Sequence, residues 1–439
     1  MSKFSILRSW MKADGGTAEA ATFAKLQVLL GGRNVTEFEG EDEPRCDHLE
    51  IPLYYLAEWV AENWWPLLWE PRKSEDAAAD GDFFGRHSPL AAQHGFALPQ
   101  LEFLSTGDDL VVSAAPRQVL HADVRFKAGG RTQLPRKDVE SELRKFVTGV
   151  VGRLGERGLA NTDLQAEWAL VQSTAPDEVD FCRLMGALGL SPYAVPERIA
   201  DAIERAAGVH DSRALMDLCL ASTPGTIEAA VKLIDQAKIL TDQAPESTLE
   251  PLRKVSVPAD NLSLPAWKRG IAAAQAVRKA LHIKDTDAQG SSKFFDLLGI
   301  DLKASSNATN DGQSPDATWE SEGQPIVGAI ERNEQRSRIA LLQRQGAQRK
   351  FTAARCAYMA WTAERAHDHR LVTMAVTRDQ QASRAFAVEL TAPIAYLRMV
   401  SRNQLLGSDD VYGVANALGI NPDVVRKQAQ NNNLRLTHA

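Results

Sequence analysis

One short segment decides how this sequence is interpreted: KFTAARCAYMAW, which runs from Lys350 to Trp361. Within it, Phe351, Ala354 and Tyr358 recur at steps of three and four residues. Because an α-helix turns once every 3.6 residues, this spacing places the three side chains on one face. The segment is therefore predicted to be a helix with one side buried.

Two further elements flank this segment. The apolar run Ile339–Leu342 precedes it and is strand-like. The stretch Gln381–Pro393 follows, with apolar residues at helical spacing and a proline where the helix would stop. The predicted order is therefore a strand, a buried helix, a polar stretch and a second buried helix.

These pieces, in this order, resemble the ImmA/IrrE family of metallo-endopeptidases. In that family a basic-Phe-Thr-x-Ala lead-in opens a helix that carries His-Glu-x-x-His, and a following helix supplies a Glu as the third zinc ligand. The second match is the run Arg-Ala-Phe-Ala-x-Glu-Leu-x-x-Pro at residues 384–393, in which Arg384 departs from the family's usual Asn. The resemblance covers about residues 260–436 and implies a zincin-like, mostly helical domain.

The same resemblance indicates which residues occupy the positions of the family's zinc site. Arg355 and Met359 fall at the two His positions, Cys356 at the general-base Glu and Gln380 at the third ligand. The implied site is degenerate, with no catalytic residue, no metal and no cofactor.

Zinc catalysis needs neutral imidazoles, a carboxylate ligand and an ionisable base beside the metal-bound water. Arg355 only donates hydrogen bonds, Met359 is a soft and weak ligand, and Gln380 lacks a carboxylate charge. No His-Glu-x-x-His occurs elsewhere, and the polar stretch 364–369 with its two histidines is predicted to be a solvated loop. Arg355 is expected to replace the metal's charge and to pair with a carboxylate, with Glu389 the first choice.

Composition sets the wider expectations. The chain has 439 residues, 44% hydrophobic content and a formal net charge of -7, so no overall charge draws it to nucleic acid or acidic membranes. Four scattered cysteines without a CxxC pair favour a reducing compartment. With no signal-peptide pattern and no membrane-length apolar run, a cytoplasmic protein without membrane contact is predicted.

The predicted fold class is α+β, in three parts. Residues 1–160 should form a domain of mixed sheet and helix, 161–256 a helical region, and 257–439 the ImmA/IrrE-like pseudopeptidase domain with a polar loop at 303–325. Strands are expected at 4–10 and 23–30.

Four tryptophans lie between residues 51 and 69. Helical spacing predicts a core helix there, with Pro52 in its first turn and Pro66 kinking or ending it. An aromatic pocket for a base or another flat ligand is the alternative.

Residues 408–428 read as a helix pair near the end of the chain, and such a pair also follows the family's catalytic core. Arg426, Lys427 and Arg435 make it basic and are candidates for nucleic-acid contact, although basic helix ends also complement the helix dipole.

Three functions from different classes follow. The first is a non-catalytic pseudopeptidase that binds another protein as a regulator, in the stress-response or phage-defence setting that the resemblance implies. The second is a hydrolase with a rebuilt site, using Cys356 as nucleophile and a histidine such as His367 as base. The third is a DNA-binding transcriptional regulator.

Overall fold

The fold is α+β, as the sequence predicts, and every sheet that contains three or more strands is antiparallel. The computed structural model describes residues 4–40, 45–73, 81–120, 123–288, 290–300, 302, 325–334, 336–342, 346–401 and 403–437.

The chain divides into two compact units, Met1–Ala200 and Asp201–Ala439. The division lies inside the segment 161–256 that the sequence predicts to be helical. One helix, α8 at Glu197–Ala207, crosses it. The three-part organisation stays a prediction.

Within its described residues, the first unit contains three antiparallel sheets. Strand β2 pairs with β1, β3 and β5, β7 lies between β6 and β10, and β9 lies between β4 and β8. The predictions of strands at 4–10 and 23–30 are confirmed. The strands are β1 Phe4–Trp10, β2 Phe23–Leu30, β3 Arg33–Asn34, β4 Phe38–Glu39, β5 Leu49–Pro52, β6 Gln100–Ser105, β7 Asp109–Ala115, β8 Arg117–Val119, β9 Val124–Phe126 and β10 Gly130–Pro135.

The helices of this unit pack around one apolar core. The longest of them, α5, contacts β1 and β10 through a buried stripe. The helices are α1 Ala18–Ala21, α2 Tyr54–Glu62, α3 Trp64–Trp69, α4 Gly81–His87, a short 3-10 turn at Pro89–Ala92, α5 Arg136–Glu156, α6 Asp163–Ser173 and α7 Val179–Leu188.

The tryptophan-rich segment is core, but its predicted boundaries are wrong. Pro52 ends strand β5 instead of opening a helix. The helix breaks at Asn63, and Pro66 lies in the first turn of α3, where the missing N–H of proline costs no helical hydrogen bond. Trp59 and Trp64 are buried. The prediction of a core segment is confirmed.

The second unit is built on a four-stranded sheet in the order β11-β13-β12-β14. A parallel pair, β15 with β16, lies apart from it. The strands are β11 Glu246–Ser247, β12 Ile326–Asn333, β13 Arg336–Leu341, β14 His367–Thr373, β15 Leu405–Leu406 and β16 Arg435–Leu436.

Helices cover both faces of this sheet. The segment quoted at the outset forms most of α14, which packs on β12 and β13 and against α15, while α12 packs on α15. The two buried helices predicted around residues 350–361 and 381–393 are confirmed. The helices are α9 Ser212–Ala221, α10 Ile227–Gln243, α11 Glu250–Arg253, α12 Ala266–Ala280, α13 Gly290–Leu298, α14 Gly346–Thr362, α15 Arg378–Thr391, α16 Ile394–Val400, α17 Ser408–Leu418 and α18 Pro422–Asn431.

The polar stretch after α14 is an exposed bend only at residues 364–366, so the predicted solvated loop is confirmed there and wrong from His367 onward. His367 opens strand β14, which pairs with β12 along its length, and His369 lies opposite Glu331. Pairing with β12 supplies hydrogen bonds that no local pattern shows. The predicted polar loop 303–325 lies almost wholly outside the described residues.

The outer edge of β14 is closed by an aspartate. Asp217 of α9 accepts a hydrogen bond from Leu371 N at 3.0 Å and pairs with the Arg370 guanidinium at 2.8 and 3.1 Å. An unpaired edge strand invites association, so this contact protects the sheet.

No helix within the described part of the chain is both long and apolar enough to cross a membrane.

Candidate functional site

The candidate site lies along α14, where that helix passes over β12. Gly328 of β12 permits the close approach, because a Cβ there would lie 2.8 Å from Cys356 Sγ and 3.0 Å from Thr352 Cγ2. The side chains of Cys356 and Thr352 therefore face the sheet. Arg355, one position earlier, makes its contacts with the end of β14 and with α15.

The Arg355 guanidinium is buried among neutral acceptors. Its Nη2 donates to Thr373 O at 2.6 Å and to Gln380 Oε1 at 2.8 Å, and its Nε donates to Ser383 Oγ at 3.2 Å. The side chain ranks among the largest fully buried ones in the described chain. Arg355 and Gln380, two of the positions singled out from the sequence, are therefore in direct contact.

Both the oxygen and the nitrogen of the Gln380 amide form hydrogen bonds with the backbone of β14. Its Oε1 also accepts from Thr373 N at 3.1 Å, and its Nε2 donates to Leu371 O at 2.7 Å. Gln380 lies in the first turn of α15, which Thr377 caps. The amide thus joins the end of β14 to the start of α15 and orients the oxygen toward Arg355.

Burial sets the charge state of the arginine. Burial, and to a smaller extent the positive charge of Arg384, together lower the pKa of Arg355 to about 9. A pKa of about 9 still leaves the guanidinium protonated at neutral pH. The site therefore contains a buried positive charge.

The predicted ion pair between Arg355 and Glu389 is wrong. Glu389 instead accepts a hydrogen bond from Gln428 Nε2 of α18 at 2.8 Å, and burial raises its pKa. Glu389 lies nine residues after Gln380 on the same helix, which separates the two by roughly 13 Å along the axis at 1.5 Å per residue. The carboxylate is therefore beyond the reach of a guanidinium bonded to Gln380.

Cys356 and Met359 are core side chains. Cys356 has no exposed surface, and Met359 is 3% exposed. Burial raises the pKa of Cys356 to about 12, outweighing the opposite effect of the Arg355 charge. Little thiolate exists at neutral pH, so this geometry gives no support to a Cys356 nucleophile.

Alkylation tests this directly. We expect iodoacetamide to modify Cys46, which is partly exposed, in the folded protein at pH 7.5, and to leave Cys356 unmodified until urea unfolds the chain. The physical reason is that both access and thiolate formation fail at Cys356. Peptide mapping by mass spectrometry with and without urea measures the outcome. Modification of native Cys356 as fast as Cys46 would support the rebuilt-hydrolase alternative.

The residues at these positions do not fit a zinc ion. Arg355 presents only donors, and Gln380 Oε1 already accepts two hydrogen bonds. Within the described ranges, no group of three or more His, Cys, Asp or Glu side chains converges in a way that could hold a metal.

Lys350, the first residue of the segment Lys350–Trp361, caps the C-terminal end of helix α17. Its Nζ donates to Leu418 O at 2.5 Å, at the C-terminal end of α17. A cation there satisfies a free carbonyl and complements the helix dipole. Burial lowers the pKa of Lys350 to about 8.

The residues proposed for nucleic-acid contact lie on the C-terminal helix pair and strand β16. The Arg426 guanidinium pairs with Asp423 at 2.6 Å and stacks over Tyr412 at 5.4 Å. Lys427 and Arg435 are exposed. Because its charge is balanced locally, Arg426 is a poor phosphate ligand, and DNA contact stays an untested prediction.

A second polar site lies on the other face of the sheet. Alternate strand residues point to opposite faces, and Ala329, next to Gly328, lines a cleft of about 190 Å³ beside α10. Glu331 and His369 face this cleft with their side chains 3.6 Å apart. The sequence did not indicate it, because its residues come from separate parts of the chain.

The candidate site also contains residues that the sequence did not assign to it. Ser383 and Thr373 accept from Arg355, and Arg384 donates to Thr373 O at 3.4 Å and to Ala375 O at 2.9 Å. The sequence feature that could have indicated this contact is the arginine at position 384, where the resembled family has Asn. The structure therefore shows an α+β protein with a buried guanidinium–amide contact between a central helix and its neighbour.

No profile of a known protein family, no curated protein and no solved structure matches this chain.

Proposed function

We propose that this chain is a non-catalytic pseudopeptidase: a protein with a zincin-like C-terminal domain that binds a partner, most simply another protein, and acts as a regulator. The stress-response or phage-defence setting comes from the resemblance to ImmA/IrrE proteins and belongs to the same proposal.

One observation supports it above the others. The residues that stand at the first and third ligand positions of the resembled family contact each other, with Arg355 Nη2 2.8 Å from Gln380 Oε1. In a zincin, two ligands of one metal must converge in the same way. A buried guanidinium at that point supplies positive charge without Lewis acidity, so the arrangement suits binding better than hydrolysis.

Metal analysis tests the proposal. We expect purified wild-type protein to contain well under one equivalent of zinc. The reason is that Arg355, Met359 and Gln380, at the three ligand positions of the resembled family, present no ligand that zinc prefers. Combining Arg355→His, Met359→His and Gln380→Glu should create a site that binds about one equivalent, removable by chelator. Plasma emission spectroscopy after dialysis measures both.

A variant in the wrong register provides the control. Cys356→His with Ala360→His places two histidines at the same i, i+4 spacing on α14, one residue away, and with Gln380→Glu it should gain no zinc. Stoichiometric, chelatable zinc in wild-type protein would overturn the proposal. If both triple variants are folded by circular dichroism and bind equal amounts of zinc, zinc binding does not depend on the family's ligand positions. The resemblance would then no longer support the proposal.

A further inference from the structure

Two arginines of the candidate site differ from the arginines around them. Arg378 pairs with Asp260, Arg370 with Asp217, and Arg269 lies 3.8 Å from Asp379. Arg355 and Arg384 form no ion pair with any carboxylate of the described chain, and their described hydrogen bonds go to neutral oxygens.

The two uncompensated guanidiniums converge on one atom. Both donate to Thr373 O, Arg355 at 2.6 Å and Arg384 at 3.4 Å. Burial lowers the pKa of Arg384 to about 10 and that of Arg355 to about 9, so both keep their charge at neutral pH. Two like charges close together and away from water are unfavourable unless an opposite charge joins them.

The arginines can be approached from one side. Arg355 is fully enclosed, whereas Arg384 is only partly buried. Arg384 bonds to the loop after β14, in which Met374 is 56% exposed and Val376 is 38% exposed. A group arriving at this loop would meet Arg384 first, beside an apolar surface.

We infer that Arg384, backed by the buried positive charge of Arg355, binds a single carboxylate or phosphate group of a ligand that enters at the loop 374–376. Arginine matches both groups, because its planar fork donates two parallel hydrogen bonds to their oxygens. The inference rests on the proposed function, since it gives the non-catalytic site a ligand chemistry: an acidic group is bound where the resembled peptidases hold a metal.

Thermal unfolding with matched salts tests the inference. Full-length protein is heated in sodium phosphate, sodium acetate or sodium chloride of equal ionic strength at pH 7. We expect one of the first two anions to raise the unfolding midpoint above that in chloride by about 3 °C at saturation, because binding to the folded state alone stabilises it. A larger shift with phosphate points to a phosphorylated ligand, and a larger shift with acetate to a carboxylate such as an acidic peptide.

Two variants separate binding from general salt effects. Phosphate also stabilises proteins by exclusion from their surfaces, and that part should be equal in every variant. The anion-specific part should disappear in Arg384→Gln and persist in Arg398→Gln, which removes the same charge at an exposed arginine of α16. The same shift in wild type and Arg384→Gln would overturn the inference, as would no difference between the anions and chloride.

Direct titration keeps the test decisive if Arg384→Gln does not fold. Isothermal titration of wild-type protein with phosphate, and separately with acetate, should then show saturable one-site binding for at least one of them, and only heats of dilution for both would overturn the inference. Zinc is measured in the same preparation. If the protein contains no zinc and binds neither anion, only the anion-site inference is overturned. Stoichiometric zinc would overturn the proposed function.

Discussion

Replacing Gly270 by alanine should destabilise the second unit by about 3 kcal/mol or more, near or above the upper end of the usual cost of overpacking. Gly270 lies where α12 crosses α15. An added Cβ would stand 2.1 Å from Ala382 O and 2.8 Å from Phe386 N. Both atoms belong to the backbone, so no side chain can rotate away and the two helices must separate. Urea unfolding followed by circular dichroism measures the loss.

Gly413→Ala is the matched control. Gly413 is exposed within α17, and no atom lies within 4 Å of an added Cβ. The same substitution there should stabilise the protein by about 0.5–1 kcal/mol, since alanine is the better helix former. If Gly270→Ala were as stable as wild type, the close contact between α12 and α15 would be incorrect.

Replacing Gln380 by leucine should cost about 4 kcal/mol, because leucine has a similar size but makes none of the amide's hydrogen bonds. The change leaves the N–H of Thr373 and the carbonyl of Leu371 without these partners inside the core, at about 1–3 kcal/mol each. It also takes an acceptor from the buried charge of Arg355, which adds to the loss. The free energy of unfolding in urea measures the effect.

The neighbouring Gln381→Leu is the control for this change. Gln381 is only partly buried, and its described hydrogen bond, from Nε2 to Val376 O, is exposed. Its replacement should change stability by less than about 1 kcal/mol. Similar losses in the free energy of unfolding at positions 380 and 381 would show that the hydrogen bonds of the Gln380 amide do not stabilise the core.

Together these substitutions examine how the candidate site is positioned. Gly270 sets the distance between α12 and α15, and Gln380 attaches the start of α15 to β14 and to Arg355. A site that binds an anion needs its guanidiniums held in place before the ligand arrives, because ordering them afterwards would reduce affinity. The stability of this helix contact is therefore also a requirement of the inferred anion site.

Much of the local structure could be predicted from the sequence. Helical spacing around Tyr358 and Phe386 predicted two buried helices, and both are present. Gly189 and Gly419 end helices α7 and α17, each with a positive φ, a conformation that glycine adopts without strain. These features were predictable because each depends on residues within a few positions of one another.

The errors concern residues whose structure depends on distant parts of the chain. Pro52 follows strand residues that pair with β2, and His367 belongs to a strand only because β12 lies beside it. Arg355 was expected to find a carboxylate, yet the oxygens that reach it belong to Thr373, Gln380 and Ser383. Sequence spacing gives no distance between elements that pack across a core.

The sequence by itself predicted apolar helices at residues 350–361 and 381–393, and its resemblance to the ImmA/IrrE peptidases implies arginine, methionine and glutamine at their zinc-ligand positions. Only the tertiary structure decided that Arg355 and Gln380 touch, that Glu389 does not join them, and that Arg384 brings a second uncompensated charge. The reason is physical: periodicity and chemical type are local properties, whereas the partner of a buried charge depends on which elements pack together.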